Sequence, residues 1–283
     1  MANILYGKAV SDSISEKTRK TVQALKNKGK DISLAILRVG EKADDLSYEK
    51  AAIRRCEKLG INVKTIALNS DVEYDHFYQI LDSLNKDDSI DGILMLRPLP
   101  KHLDNEKARN YLNPAKDIDG GSDLALSSLF NNTDKYFAPC TAQAVIEMLK
   151  YYDIALTGKR AVVIGRSLVV GKPVGMLLLN ENCTVTICHS KSEDIASLTK
   201  KADIIVACSG QMESLNKDYF SPDQTVIDVG INYNHQKKKL CGDVLFDEVK
   251  EIVENISPVP KGVGSVTIAV LLNNLAISAK RKL

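Results

Sequence analysis

A chain of 283 residues is long enough to bury two cores of ordinary domain size. Its 38 basic and 36 acidic side chains leave a formal charge of only +2, so no overall field favours nucleic acid or an anionic membrane, and an anionic ligand has to be held by local groups. The six cysteines form no Cys-x-x-Cys pair and the four histidines are dispersed, so zinc-ligand spacing is absent and the expectation is reduced thiols and no metal. The start of the chain has no basic stretch followed by an apolar one, and no run of eighteen apolar residues occurs. A soluble, cytoplasmic protein without membrane or nucleic-acid partners is expected.

Helical and strand-like segments alternate along the chain, which predicts the α/β class, with parallel sheets covered by helices. A polar helix over residues 11–28, stopped by Gly29, precedes the apolar run Ile32–Arg38, suited to a buried strand. A helix over Asp45–Leu59 ends at Gly60 and leads into a strand at Asn62–Ala67. Gly92–Leu96 reads as a further strand, stopped by Arg97-Pro98-Leu99-Pro100. Leu112–Pro139 is rich in Asn, Asp, Gly and Pro, with a short helix near Asp123–Leu129, and marks the domain border.

Beyond that border come a helix at Thr141–Tyr151 and strands at Arg160–Ile164, Thr184–Cys188, Asp203–Ala207 and Thr225–Val229. The last helix, Val266–Ala279, is apolar enough to pack back on the first domain, and Lys280-Arg281-Lys282 suits a helix C-terminus. The predicted domains are therefore 1–139 with 267–283, and 140–266.

The segment Val163–Pro173 sets a strand, a glycine turn and a helix start in succession. Backbone N–H groups and the helix dipole at such a turn can face a phosphate, which makes Gly165, Arg166, Ser167, Gly171 and Pro173 candidate cofactor contacts. The spacing is not Gly-x-Gly-x-x-Gly, because Ser167 stands at the second glycine position and the last glycine is one residue late. On these residues alone, a ligand-free turn is the competing reading.

The end of the next strand reads Cys188-His189-Ser190-Lys191, without the carboxylate that NAD enzymes place there for the ribose hydroxyls. A hydroxyl with cationic neighbours suits a 2′-phosphate, and Arg166 can add a planar fork. NADP is the expected cofactor, with His189 and Ser190 among its contacts. Alone, His189 reads about as well as a surface residue at a strand end.

Several segments together carry a resemblance over essentially the whole chain. They are Tyr48 with Cys56–Gly60, Arg97–His102, Pro114–Gly120, Pro139-Cys140-Thr141, Gly165-Arg166-Ser167 with Val170–Pro173, Cys188-His189-Ser190, Asp228–Asn232, Gly242-Asp243-Val244, and Pro258-Val259-Pro260 with Gly262-Val263-Gly264. In order and spacing they resemble the methylenetetrahydrofolate dehydrogenase/cyclohydrolase family. The resemblance implies an N-terminal folate-side domain completed by the C-terminal helix, a Rossmann-type NADP domain, a cleft between them, tetrahydrofolate substrates and a homodimer. It further implies that Tyr48 lies against the pterin and aminobenzoyl portion, that Asp119 accepts from the pterin edge, that Pro98, Leu99, Pro260 and Gly262 contact substrate, and that Ile231 contacts cofactor. Without it, Asp119-Gly120 reads as a turn and Tyr48 as a partly buried helix residue.

Two departures bear on the chemistry. The family's lysine, four residues after the tyrosine and on the same helix face, is Ala52 here, and the glutamine thought to tune it is Leu96, followed by Arg97 in place of leucine. Lys50 is about 200° from Tyr48 around the helix, and Arg55 stays protonated, so neither replaces the base. Smaller departures are Asp45 for serine, expected to serve equally as an N-cap, Ala142 for proline, Lys261 for glycine, and Ser265-Val266 for Pro-Met.

Hydride loss from a methylene flanked by two nitrogens needs alignment but no base, whereas hydrolysis of the methenyl cation needs one. The expectation is an NADP-dependent dehydrogenase of 5,10-methylenetetrahydrofolate with weak or lost cyclohydrolase. An ordinary bifunctional enzyme with a relocated base and a non-catalytic binding relic are the alternatives.

Overall fold

Apolar runs flanked by glycine, proline and capping residues become short parallel strands, and the amphipathic segments between them become helices. The structure is a computed structural model and describes residues 2–236 and 238–283. The elements of the first half are β1 (Asn3–Ile4), α1 (Gly7–Lys26), β2 (Ser33–Val39), α2 (Ala43–Leu59), β3 (Asn62–Leu68), α3 (Tyr74–Lys86), β4 (Gly92–Met95), α4 (Asn105–Tyr111) and α5 (Asp123–Phe130). There follow α6 (Cys140–Tyr151), β5 (Arg160–Ile164), α7 (Gly171–Asn180), β6 (Thr184–Cys188), α8 (Ile195–Lys200), β7 (Ile204–Ala207), β8 (Thr225–Asp228), β9 (Asn232–Asn234), β10 (Lys239–Cys241), α9 (Phe246–Val249), β11 (Asn255–Ile256) and α10 (Gly264–Arg281).

The chain forms two compact units, and both are α/β. The first comprises Ser13–Ala138 with Ile268–Leu283. It is built on a parallel sheet of order β3-β2-β4, with Leu34 opposite Val63 and Gly92. Strand β2 has no polar alternation because both of its faces are covered. Ala35, Leu37 and Val39 on one face join Phe77, Leu81 and Leu84 of α3 and Ile93 and Met95 of β4 in one buried cluster. Full burial of a side chain such as Phe77 contributes roughly 1.5–3 kcal/mol.

Helix α10 is tied to this unit by side-chain donors. Asn274 Nδ2 donates to the Ile118 carbonyl at 3.0 Å, and Ser278 Oγ donates to those of Asp91 and Ala115 at 2.7 and 3.0 Å.

The second unit comprises the chain up to Asp12 with Pro139–Thr267. Its sheet runs β1-β11-β8-β7-β5-β6, parallel throughout, and β9 and β10 pair separately as an antiparallel ribbon. The core gathers Val162 and Ile164 of β5, Ile205 and Ala207 of β7, Val226 of β8 and Ile256 of β11.

The structure corrects the sequence reading in three places. Residues up to Asp12, expected with the first domain, pack in the second unit, where Asn3 and Ile4 pair with Asn255 and Ile256. Two residues are too short a strand to show a period. Helix α1 starts at Gly7 rather than residue 11, burying Val10 and Ser11. Asp45 is not an N-cap: α2 begins at Ala43 after Lys42, which makes no side-chain cap, and Asp45 lies within the first turn.

Candidate active site

In the second unit, β5 delivers Gly165 to the C-terminal edge of the sheet with φ +136°. A side chain there would strike the Cys208 carbonyl, and one on Gly171, at the start of α7, would strike the Gly165 carbonyl. The two glycines thus let the loop close on itself, which explains a spacing that departs from the usual dinucleotide pattern. Ser167 completes the closure: its Oγ accepts from the Val170 N–H at 3.1 Å and the Gly171 N–H at 3.5 Å, and its carbonyl accepts from Lys172 at 3.0 Å. Pro173 is buried in the first turn of α7, where its missing N–H removes no helical bond.

A cavity of about 310 Å³ opens beside this loop. Gly165, exposed Arg166, His189 and Ser190 line it together with apolar Ile195 and Leu215. His189 Nδ1 accepts the Lys191 N–H at 3.1 Å, so the neutral ring carries its proton on Nε2. His189-Ser190-Lys191, directly after β6, include no carboxylate. One cation, a hydroxyl and an imidazole N–H are donors that suit a phosphate.

A second cavity, about 260 Å³, lies at the ends of β8 and β11 and is lined by Gly230, Ile231, Pro260, Lys261 and Gly262 among others. Ile231 is 65 % exposed, an unusual state for isoleucine and one that suits an apolar ligand face. Lys261 has φ +83°, a left-handed conformation that costs a lysine roughly 1–2 kcal/mol.

Two buried carboxylates shape this edge. Asp228 accepts the N–H groups of Gly230, Asp243 and Val244 at 3.0, 3.1 and 2.9 Å. Asp243 accepts from Ser209 N–H, Ser209 Oγ, Gly210 N–H and Asn232 Nδ2. Burial outweighs the three N–H donors and pushes the Asp228 carboxyl up to about 7.

In the first unit, Tyr48 is half-buried on α2, while Ala52 is fully buried and begins the inner stripe Ala52–Cys56–Leu59. Lys50 is exposed, as its place on the helix dictates. Beside them, Arg38 of β2 donates to the Gly40 carbonyl and, at 2.9 Å, to Glu49 of α2, an ion pair with side chains only 8 % and 12 % exposed.

Asp119 follows β4's edge, where residue 117 bridges to Ile93 in parallel. Its turn is held by Asp117, whose carboxylate accepts the N–H groups of Gly120, Gly121 and Ser122 at 3.1, 3.3 and 2.8 Å. Lys116 anchors the segment by donating to the Leu84, Asn85 and Asp87 carbonyls at the end of α3. Burial lowers its pKa. Arg97 Nη2 stands 3.9 Å from Asp119 Oδ2.

Pro98, joined to Arg97 by a cis bond, is exposed, and its carbonyl accepts from Lys42 Nζ at 2.6 Å. The Leu99 side chain is 5 % exposed and packs in the core cluster with Phe77 and Leu103, which fixes the backbone of this segment.

With this geometry in place, known proteins become informative. The NAD(P)-binding domain of tetrahydrofolate dehydrogenase/cyclohydrolase matches residues 139–283, and the catalytic domain of the same family matches residues 5–119. The chain belongs to this family. The bifunctional protein FolD of Clostridium botulinum strain Kyoto is 47% identical over 281 residues, 99% of each chain. The crystal structure of the bifunctional enzyme FolD from Campylobacter jejuni superposes with a TM-score of 0.97 at 38% identity over 100% of both chains. That of the Trypanosoma brucei dehydrogenase-cyclohydrolase, complexed with NADP cofactor and inhibitor, does so with 0.93 at 31% identity over 99% of this chain and 98% of that one.

Within the family frame, Pro139–Thr267 of the second unit lie in the NAD(P)-binding domain. Gly165, Arg166, His189 and Ser190 meet at one of its cavities, and Ile231, Pro260 and Gly262 at the other. Tyr48 and Asp119 belong to the catalytic domain. The sequence reading gave no role to Asp228, Asp243, Arg38 or Lys116. Only Arg38, a charge in an otherwise apolar strand run, carried a local signal. Among the described residues no helix is long and apolar enough to cross a membrane.

Proposed function

We propose that the protein oxidises 5,10-methylenetetrahydrofolate to the methenyl form with NADP and hydrolyses that product weakly or not at all. The observation that carries the dehydrogenase part is the Gly165 loop with Arg166, His189 and Ser190 around one cavity and no carboxylate among the three residues directly after β6. The loop fits a dinucleotide phosphate, and the donor set fits a 2′-phosphate. NADP supplies the hydride acceptor when bound. The chain's own task is alignment, since the carbocation left behind is stabilised by its two flanking nitrogens and requires no base.

Asp119 is the acceptor for the N–H-rich pterin edge, and Tyr48 the ring that packs on the substrate. Ile231 is a cofactor contact; Pro98, Leu99, Pro260 and Gly262 are substrate contacts, and a homodimer is the assembly. Purified protein should form NADPH from methylenetetrahydrofolate. Arg166→Ala and Ser190→Ala should each raise the KM for NADP about tenfold, as expected for a lost charge-assisted bond of roughly 1.5 kcal/mol or more, and change that for NAD little. Equal losses with both cofactors would assign these residues to the fold.

The hydrolysis part rests on Ala52 and Leu96, which offer neither a base nor a partner for one. A second reading draws support from the name "bifunctional" carried by the relatives. Its base would be Asp45, whose pKa is raised chiefly by burial and which lies three residues before Tyr48 and seven before Ala52, on one helix face. Methenyl hydrolysis linear in enzyme and abolished in Asp45→Asn would establish that reading.

A further inference from the structure

We propose that Arg97 is a positioning residue for substrate, acting through Asp119. The inference rests on the reading of Asp119 as acceptor for the pterin edge. The turn from Asp117 to Ser122 is held on its inner side by the Asp117 carboxylate, and on another by Arg109, whose Nη1 donates to the Gly121 carbonyl at 2.9 Å and pairs with Asp123 at 2.6 Å. Arg97 comes to the same turn from the end of β4. A Cβ on Gly121 would lie 2.6 Å from its Nη2, so the guanidinium packs directly against this backbone and a side chain there would shift it. Arg97, Arg109, Asp117 and Asp119 line one small recess.

The distance decides what Arg97 can do. At 3.9 Å its contact with Asp119 Oδ2 is within ion-pair range but beyond hydrogen-bonding range. At that distance the cation attracts and orients the carboxylate without hydrogen-bonding it. The side chains are 23 % and 34 % exposed, so the attraction is partly screened and the effect is moderate. Arg97 also supplies a fixed cation in a catalytic domain whose family lysine is absent.

The test compares wild type, Arg97→Leu, Arg97→Lys, Gly121→Ala, Asp119→Ala and the double variant Arg97→Leu/Asp119→Ala, by steady-state kinetics and thermal unfolding. Arg97→Leu should raise the KM for methylenetetrahydrofolate about fivefold, with kcat and the KM for NADP within twofold of wild type. Arg97→Lys should recover most of the loss, and Gly121→Ala, which keeps the arginine but displaces it from the turn, should resemble Arg97→Leu. Once Asp119 is gone, removing Arg97 should cost nothing more, the signature of two residues acting through one contact.

An unchanged folate KM in Arg97→Leu, additive losses in the double variant, or a parallel rise in the NADP KM would overturn the proposal. If Asp119→Ala itself leaves the folate KM unaltered, the reading of Asp119 fails and the role of Arg97 falls with it. A loss in Asp119→Ala without one in Arg97→Leu removes the Arg97 role alone.

Discussion

Asp228 shows how a residue outside the chemistry can set the shape of a binding edge. Its carboxylate draws together Gly230 after β8 and the Asp243-Val244 segment after β10, the backbone on which Ile231 is carried. Burial raises its pKa from the ordinary 3.8 to about 7. Because the folded value exceeds the unfolded one, the folded chain holds the proton more firmly. The resulting stabilisation is fully present below pH 3.8 and is lost as the pH rises through about 7. The stability difference between wild type and Asp228→Asn should therefore fall between these limits, by up to about 1.4 kcal/mol per pH unit, in urea unfolding of both proteins. A difference that stays flat would mean the carboxyl titrates alike in both states. Neither Asp228 nor Asp243 could be given this task from sequence, since a buried carboxylate held by backbone N–H groups has no spacing of its own. Arg97 was visible as a departure, but its partner Asp119 and the glycine that admits it were joined only by the fold.

At the scale of elements, α2 shows what sequence pattern can and cannot deliver. The shared face of Tyr48 and residue 52 follows from the 3.6-residue period, and the stop follows from Gly60, which takes the left-handed conformation of a C-cap. The first turn does not, because Lys42 precedes it without a side-chain cap and Asp45 falls inside the helix. Nor does period reveal that Ala52 is wholly enclosed. A lysine there would place an ammonium away from water, so Ala52→Lys should lower stability by about 2–4 kcal/mol and restore little hydrolysis. Adding Leu96→Gln should recover part of that loss, since the amide oxygen can accept from the ammonium. Thermal unfolding of the single and double variants checks this; a single variant as stable as wild type would show that the position opens readily. The short strands β1, β9, β10 and β11 escaped the sequence reading for a simpler reason. Two or three residues give no periodicity to read.

Across the whole molecule, the α/β class followed from the alternation of apolar runs and helical segments and the domain border from the Asn-, Asp-, Gly- and Pro-rich stretch Leu112–Pro139, while the placing of the first residues in the second unit depended on a pairing of Asn3 and Ile4 that only the folded chain shows. The family is fixed by matches along nearly the entire chain. The proposed distinction of this member is a separation of the family's two reactions, and it rests on the alanine buried at position 52 of α2. The most direct measurement is to incubate the purified protein with methylenetetrahydrofolate and NADP and to follow the methenyl and 10-formyl products together against a no-enzyme control supplied with methenyltetrahydrofolate. Methenyltetrahydrofolate should accumulate in step with NADPH and disappear no faster than in the control; 10-formyl product forming at a rate proportional to enzyme would contradict the account.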